Sequence, residues 1–322
     1  MKAIPIISLM LLALAKSVAQ EPQSYSQEFK DALRYGAKAK VTIKVVDDTG
    51  KPVKNADVKV FFRMTSGSTE GNHLIGVSDA TGMFMAKSRT TDTVFISVEK
   101  DEYYMSVAKH GFQSLNPERL KDGCWLPWNP TVPVVLKKIR TPVPMILSYE
   151  HMHIPQLEKA MGLDLEKGDW VAPDGKGVIP DMIIAFELID ETSPFYKLIV
   201  EFPGEMNGAY VRKKDSYSIL KSDYNASTNM IYESRIENND GNRGPAHVLL
   251  GGNDYLVFRI RSKVDKDGNL ISALYGKIYG PFDYFVASRF SMRLITFLNP
   301  VENDTNLEFD GKGFGDGSLF GR

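Results

Sequence analysis

Val41-Thr42-Ile43-Lys44-Val45-Val46-Asp47-Asp48-Thr49-Gly50-Lys51-Pro52-Val53-Lys54-Asn55-Ala56-Asp57-Val58-Lys59-Val60-Phe61-Phe62 is the stretch whose reading decides the fold. Val41, Ile43 and Val45 alternate with Thr42 and Lys44; Ala56, Val58, Val60 and Phe62 alternate with Asp57, Lys59 and Phe61. A period of two sends one set of side chains to a buried face and the other to the opposite face of an extended strand. Between the two runs, Asp47-Asp48-Thr49-Gly50 is a turn in which glycine takes a positive φ, and Pro52 stiffens the exit. The segment therefore predicts two strands.

Reading outward, Met64 to Asn72 is rich in Ser, Thr and Gly, a loop. Leu74 to Val77, the turn Asp79-Ala80-Thr81-Gly82 and Met83 to Ala86 form a hairpin pattern. Val94, Ile96 and Val98 continue the alternation, and Val132, Val134 and Leu136 close it. Short strands joined by glycine turns, with no internal helix, predict a small antiparallel β-sandwich. On the N-terminal side, residues 20–37 read as a lead-in with helical features near Phe29, Leu33 and Tyr35.

Val41 to Val58 carries a D-x-x-G-K-P-V-x-x-A-x-V core, followed by Gly76-Val77-Ser78-Asp79-Ala80-Thr81-Gly82-Met83-Phe84 and then by Val94 to Tyr104. These residues resemble the transthyretin-like module known as the carboxypeptidase regulatory-like domain, over residues 38–139. The resemblance implies an accessory β-sandwich of secreted and envelope proteins with no catalytic residues of its own. The sequence departs from the family pattern in a long insertion, Gln113 to Pro130, that holds Cys124, Trp125 and Trp128.

Residues 140–146, with Pro142 and Pro144, read as a stiff linker. A second domain is expected over 147–310. Gln156 to Leu163 reads as a short helix, and Met182 to Leu188, Tyr196 to Phe202, Ala209 to Val211, His247 to Leu250, Tyr255 to Val264 and Leu270 to Ile278 as strands. In Tyr255 to Val264, Leu256, Phe258 and Ile260 alternate with Val257, Arg259 and Arg261. The expectation is a mostly β chain: a transthyretin-like antiparallel sandwich, then a second antiparallel β-domain, ending in a Gly-rich tail, 311–322.

Met1-Lys2-Ala3, an uncharged apolar run from Ile4 to Ala15, Lys16 and the small triplet Ser17-Val18-Ala19 read as a secretory leader cleaved after Ala19. The apolar run falls short of the roughly twenty residues that span a bilayer, and no later segment is long enough either. An exported location follows as an expectation: periplasmic, cell-surface or extracellular. Gln20, not Cys, follows the cleavage site, which argues against a lipid anchor. Lys and Arg number 39 against 40 acids, with no long basic run, so the charge pattern argues against nucleic acid as a partner. The single cysteine, Cys124, forms no disulfide within the chain; it reads as a small buried hydrophobe beside Trp125 or as a thiol open to pairing between chains.

Few residues carry a chemical signature. His151 and His153 share one side of a strand and would need a third ligand, such as Glu150 or Asp181, to hold a metal. Asp265-Lys266-Asp267-Gly268-Asn269 begins like a calcium loop, but Gly276 stands where an EF-hand needs a bidentate Glu, and a hairpin turn explains the same residues. Asp174-Gly175 is less specific still. There is no G-x-S-x-G elbow or phosphate loop, and Gly251-Gly252 has no following helix. Glu187 with Asp190-Glu191 would supply the paired acids of a glycosidase. Trp125 and Trp128 either offer aromatic faces to a sugar or peptide or plug the end of the first sandwich. Asn225-Ala226-Ser227 fits a glycosylation acceptor. No catalytic or metal residue and no cofactor is assigned. The expected role is non-catalytic binding or scaffolding at the cell envelope, with an unknown polysaccharide or protein ligand. The alternative is a secreted hydrolase of polysaccharide or peptide that works through carboxylates of the second domain.

Overall fold

The computed structural model describes residues 25–64, 70–112, 116–190, 193–213, 218–238, 246–285 and 290–309. The expected leader, Met1 to Ala19, and the tail, Gly311 to Arg322, lie outside the described residues. The chain is mostly β, as its periodicity implies, with one α-helix among the described residues.

That helix, α1 (Gln27–Tyr35), starts where Ser26 accepts from Phe29 N at 3.2 Å and ends at Gly36, whose φ is +77°. Phe29 and Ala32 press into the first core, so the described part of the lead-in, from residue 25 on, packs with the first domain. The strands are β1 (Ala37–Asp47), β2 (Asp57–Arg63), β3 (Gly71–Val77), β4 (Met83–Thr90), β5 (Thr93–Glu99), β6 (Ser106–Gly111), β7 (Leu120–Lys121), β8 (Cys124–Trp125) and β9 (Thr131–Leu136). One sheet runs β4-β1, continued by β9 and, through β8, by β7; the other runs β3-β2-β5-β6. Pairing is antiparallel except along β1, which β8 and β9 join in parallel. Val41, Ile43, Val45, Val58, Val60 and Phe62 are all buried between the sheets, as the alternation requires.

Three turns share one construction, but only the third closes a hairpin. The first two cross between the sheets, so the hairpin expected from Leu74 to Ala86 does not form, because β3 pairs with β2 and β4 with β1. Asp47 Oδ1 accepts from Thr49 N and Lys51 N, both at 2.9 Å. Asp79 Oδ1 does the same for Thr81 N and Met83 N at 2.8 and 2.9 Å, and Asp265 Oδ1 for Asp267 N and Asn269 N at 2.9 and 2.8 Å. Each turn has a positive-φ glycine: Gly50, Gly82 and Gly268.

The second domain holds β10 (Ile146–His153), β11 (Met161–Asp164), β12 (Asp169–Trp170), β13 (Met182–Asp190), β14 (Ser193–Glu201), β15 (Gly208–Lys213), β16 (Arg235–Glu237), β17 (Ala246–Leu250), β18 (Asp254–Val264), β19 (Leu270–Phe285) and β20 (Ser291–Asn299). A large sheet runs β10-β20-β19-β18-β15, with β17 added to β19; a second runs β12-β11-β13-β14-β16. Met182, Ile184, Leu198, Phe258, Ile278 and Leu294 fill the space between them. The other face of the large sheet is also covered: Tyr255, Tyr275, Tyr279 and Phe297 pack with Ala226, Leu307 and Phe309 from irregular chain.

The expected helix at Gln156 to Leu163 does not form. The chain is irregular through Ala160, and Met161 to Leu163 enter β11, pairing with Ile184, Ile183 and Met182. Met161 and Leu163 are buried in the second core, and that tertiary burial overrides the helix-forming residues before them.

The second domain docks on the β6/β9 side of the first. Ser106 bridges Ser218, and Ile219 N donates to Met105 O at 3.0 Å. The residues read as a linker are tied down: Arg140 N and Thr141 N both donate to the buried Glu308 carboxylate at 2.7 Å, and Tyr104 Oη donates to it at 3.1 Å. Lys137 and Lys277 are buried beside it. Lys137 Nζ reaches Ser222 O at 2.9 Å, while Lys277 Nζ reaches Ser222 Oγ at 3.1 Å and Leu307 O at 2.5 Å.

Candidate functional site

Pairing β1 with β4 assembles a cationic face that no segment of the sequence contains. The outward phase of β1 carries Lys38, Lys40 and Lys44, and β4 sets Arg89 opposite Lys38 and Lys87 opposite Lys40. Met85 faces Thr42 and is exposed. None of the five cations is in a salt bridge among the described residues, whereas Lys59, Arg63, Lys138 and Arg140 each pair with an acid. Like charges on neighbouring strands repel, so the arrangement costs stability until an anion covers it.

The insertion that holds β7 and β8 supplies an aromatic edge to this face. Trp125 is fully buried, its Nε1 donating to Thr90 O at 2.7 Å and its ring edge-on to Phe29 at 6.2 Å. Trp128 is 40% exposed and lies 5.6 Å from Lys87 Nζ. Its neighbour Asn129 is pinned by Thr42 Oγ1 donating to Oδ1 at 2.9 Å, which holds the loop against β1. The two tryptophans thus divide the readings made of them: Trp125 plugs the sandwich and Trp128 is presented. Cys124, expected to be buried, is half-exposed, because its side chain takes the outward phase at the pairing with Lys38.

Where β3 and β4 meet at the rim of the two sheets, a groove of about 550 Å³ opens, lined by Lys38, Asn72, His73, Leu74, Lys87, Ser88 and Arg89. It adjoins the cationic face and lies at the rim opposite the β6/β9 side used by the second domain.

Other residues singled out by the sequence gather no comparable site. His151 and His153 are exposed on β10, and no three His, Cys, Asp or Glu side chains among the described residues form a ligating cluster. Asp181 is committed to Arg261, with Nε to Oδ1 at 2.8 Å and Nη2 to Oδ2 at 2.9 Å. Burial pushes the Asp181 carboxyl up against the pull of that guanidinium. Arg261 Nη2 donates also to Asp164 Oδ1 at 3.2 Å, and the Asp164 carboxylate accepts from the backbone N–H groups of Glu166, Lys167, Val178 and Ile179. Burial opposes ionisation of Asp164, but the four N–H donors outweigh it and hold its carboxyl below the usual range. Asp265 to Asn269 make the β18–β19 hairpin turn, as the turn reading has it. Asp174 accepts from Gln156 Nε2 at 3.2 Å. Gly251 packs against Gly280, where a Cβ would meet Gly251 O at 1.9 Å. Glu187 is exposed opposite Lys197, and Glu201 is half-exposed and paired with Arg235 at 2.6 Å. Glu191 lies outside the described residues. Asn225 is exposed and bridges Asn306.

Sequence reasoning missed the lysine face because each half is only the polar phase of an ordinary strand. Its one readable signal is the repeat of Lys at alternate positions 38, 40 and 44. No helix among the described residues is long and apolar enough to cross a membrane.

No family model matches the chain. No curated protein matches it either. Among solved structures it is similar to 3-chlorocatechol 1,2-dioxygenase from Rhodococcus opacus 1CP, at 11% identity over 33% of this chain and 61% of that one, with a TM-score of 0.27. It is similar also to catechol 1,2-dioxygenase from Acinetobacter sp. ADP1, at 11% identity over 32% of this chain and 53% of that one, TM-score 0.24. For hydroxyquinol 1,2-dioxygenase from Pseudomonas putida DLL-E4 the values are 17%, 32%, 57% and 0.23. The chain thus spans about three-fifths or less of these proteins, and likenesses this partial carry no argument about its activity.

Proposed function

We propose that the protein is an exported, non-catalytic binding protein of the cell envelope, and that the outer face of β1 and β4 holds an anionic ligand. The observation that carries this reading is the group of five cations, Lys38, Lys40, Lys44, Lys87 and Arg89, on one sheet face without an acidic partner among the described residues, beside the exposed Trp128. An exposed ion pair contributes only about 0.2–1 kcal/mol, so the face works through several simultaneous contacts to a polyvalent anion. Export rests on the leader-like start of the sequence and on the family resemblance of the first domain.

The test is retention of the purified protein on insoluble envelope and matrix polysaccharides, acidic and neutral, with released sugar assayed in the supernatant. Retention on acidic matrices, without sugar release and reversed by salt, is the expected result, since the Debye length shrinks from about 10 Å at 0.1 M to about 3 Å at 1 M. Sugar release makes the protein a hydrolase; equal retention on neutral matrices removes the cationic face from the explanation.

A further inference from the structure

The outer face of the second sheet of the same sandwich carries a row of rings. In register across β3, β2, β5 and β6 stand His73, Phe61, Phe95 and Lys109. The His73 and Phe61 ring centres are 4.7 Å apart and those of Phe61 and Phe95 are 6.1 Å apart, each pair inclined by 31°. Gly71 lets the row lie flat, because a Cβ there would meet the Phe61 ring at 2.4 Å. His73 and Phe95 are exposed, as are Ile75 and Val77 beside them on β3. Arg63 sits 5.4 Å from the Phe95 ring, its own charge taken up by Asp92. Solvent-facing aromatic rows are costly to leave uncovered, and planar rings offer contact area at small entropic cost.

His73 belongs to both features: it lines the groove with Lys87 and Arg89, and it is the first ring of the row. The groove therefore joins the cationic face of one sheet to the aromatic face of the other, on the rim the second domain leaves open. We infer that the ligand is a carboxylated polysaccharide chain that lies along the cationic face, turns through the groove and stacks sugar rings on His73, Phe61 and Phe95. This inference rests on the anion-binding reading above and adds the ligand class. Carboxylates on a sugar polymer match the lysines, hydroxyls match Asn72 and Ser88 in the groove, and the apolar faces of sugar rings match the row. With inter-strand spacings of about 4.8 Å and sheets about 10 Å apart, Phe95 lies on the order of 20 Å from Lys87, a span that needs several sugar units.

The experiment measures binding of galacturonate oligomers, from dimer to dodecamer, to the full chain by calorimetry. The variants are Lys87→Ala/Arg89→Ala and Phe95→Ala, each checked for an unchanged melting temperature, with Lys263→Ala in the second domain as a control. Affinity is expected to rise with length and then level off. The double variant should weaken every oligomer by about tenfold, and Phe95→Ala should weaken only the long ones, by about threefold to tenfold. If the double variant loses binding while Phe95→Ala binds long oligomers like wild type, the chain path across the rim is wrong and the anion-binding face stands. If the double variant binds normally, both fail. Equal affinity for single-stranded DNA of matched charge would make the face a general polyanion site and overturn the polysaccharide assignment. If Phe95→Ala melts early, Phe95→Leu, which keeps bulk and loses the ring, decides the same question.

Discussion

The two domains treat their sheet faces in opposite ways. The large sheet of the second domain is covered on both sides, by the smaller sheet and by the chain around Ala226 and Leu307 to Phe309. The sandwich of the first domain covers only its inner faces and presents lysines on one outer face and rings on the other. Charges in the second domain are spent internally: Arg261 on Asp164, Glu166 and Asp181, and Arg293 on Asp283. Charges on the β1/β4 face have no acidic partner among the described residues; Arg89 donates instead to Gly36 O. Packing thus closes both faces of the large sheet in the second domain and leaves the two outer faces of the first domain's sandwich to solvent.

The sharpest way to break this contrast is to attack the first core. Trp125→Ala should cost about 3–5 kcal/mol, read from urea midpoints, because it empties a fully buried site and strands the Thr90 carbonyl. A cost under about 1 kcal/mol would mean that the plug is dispensable. Glu308→Ala should cost about 3 kcal/mol, since it strands Arg140 N, Thr141 N and the Tyr104 hydroxyl at the junction. Calorimetry should then resolve two melting transitions; a single unchanged transition would show that Glu308 does not couple the domains.

Acid sharpens the account of the second domain. The Asp164 carboxyl is held below its ordinary 3.8, so its stabilisation is complete above that value and lost as pH falls through the lower folded one. Asp164→Asn should cost about 1–3 kcal/mol at pH 7, and the gap to wild type should close well below pH 3.8. Lys277 runs the same way for a base. Burial first, then the charge of Lys137, holds its ammonium well below the ordinary 10.5. The unfolded chain therefore takes up a proton that the fold resists, and wild type loses stability as pH drops from 10.5 toward the folded value. Lys277→Met should flatten that slope below pH 10.5, at a net change of about 1 kcal/mol. The smallest effect belongs to the lysine face: Lys40→Glu should shift stability by under about 0.5 kcal/mol while weakening retention on acidic polysaccharide.

How far the fold could be read from sequence follows the same division. Where one face is buried and the other wet, as in β1, β2 and β5, the period-two pattern placed the strands within a few residues. β20 and the ends of β19, buried on both faces, show no alternation, and Gln156 to Ala160 favour a helix locally, which hides the start of β11. The candidate site was illegible for another reason. Lys40 and Lys87 are ordinary solvent-facing residues until strand pairing sets them side by side. The Glu308 junction joins residues more than 160 positions apart, and no local pattern announces it.

The chain has three tryptophans, and their placement gives each part of the molecule its own optical reporter. Trp125 is sealed in the first core and Trp170 in the second, while Trp128 meets solvent at the lysine face. Iodide or acrylamide in the native protein should therefore quench Trp128 selectively, and a bound chain should shield it. Red-shifted emission from the two sealed indoles would in turn time the opening of each domain within one unlabelled sample.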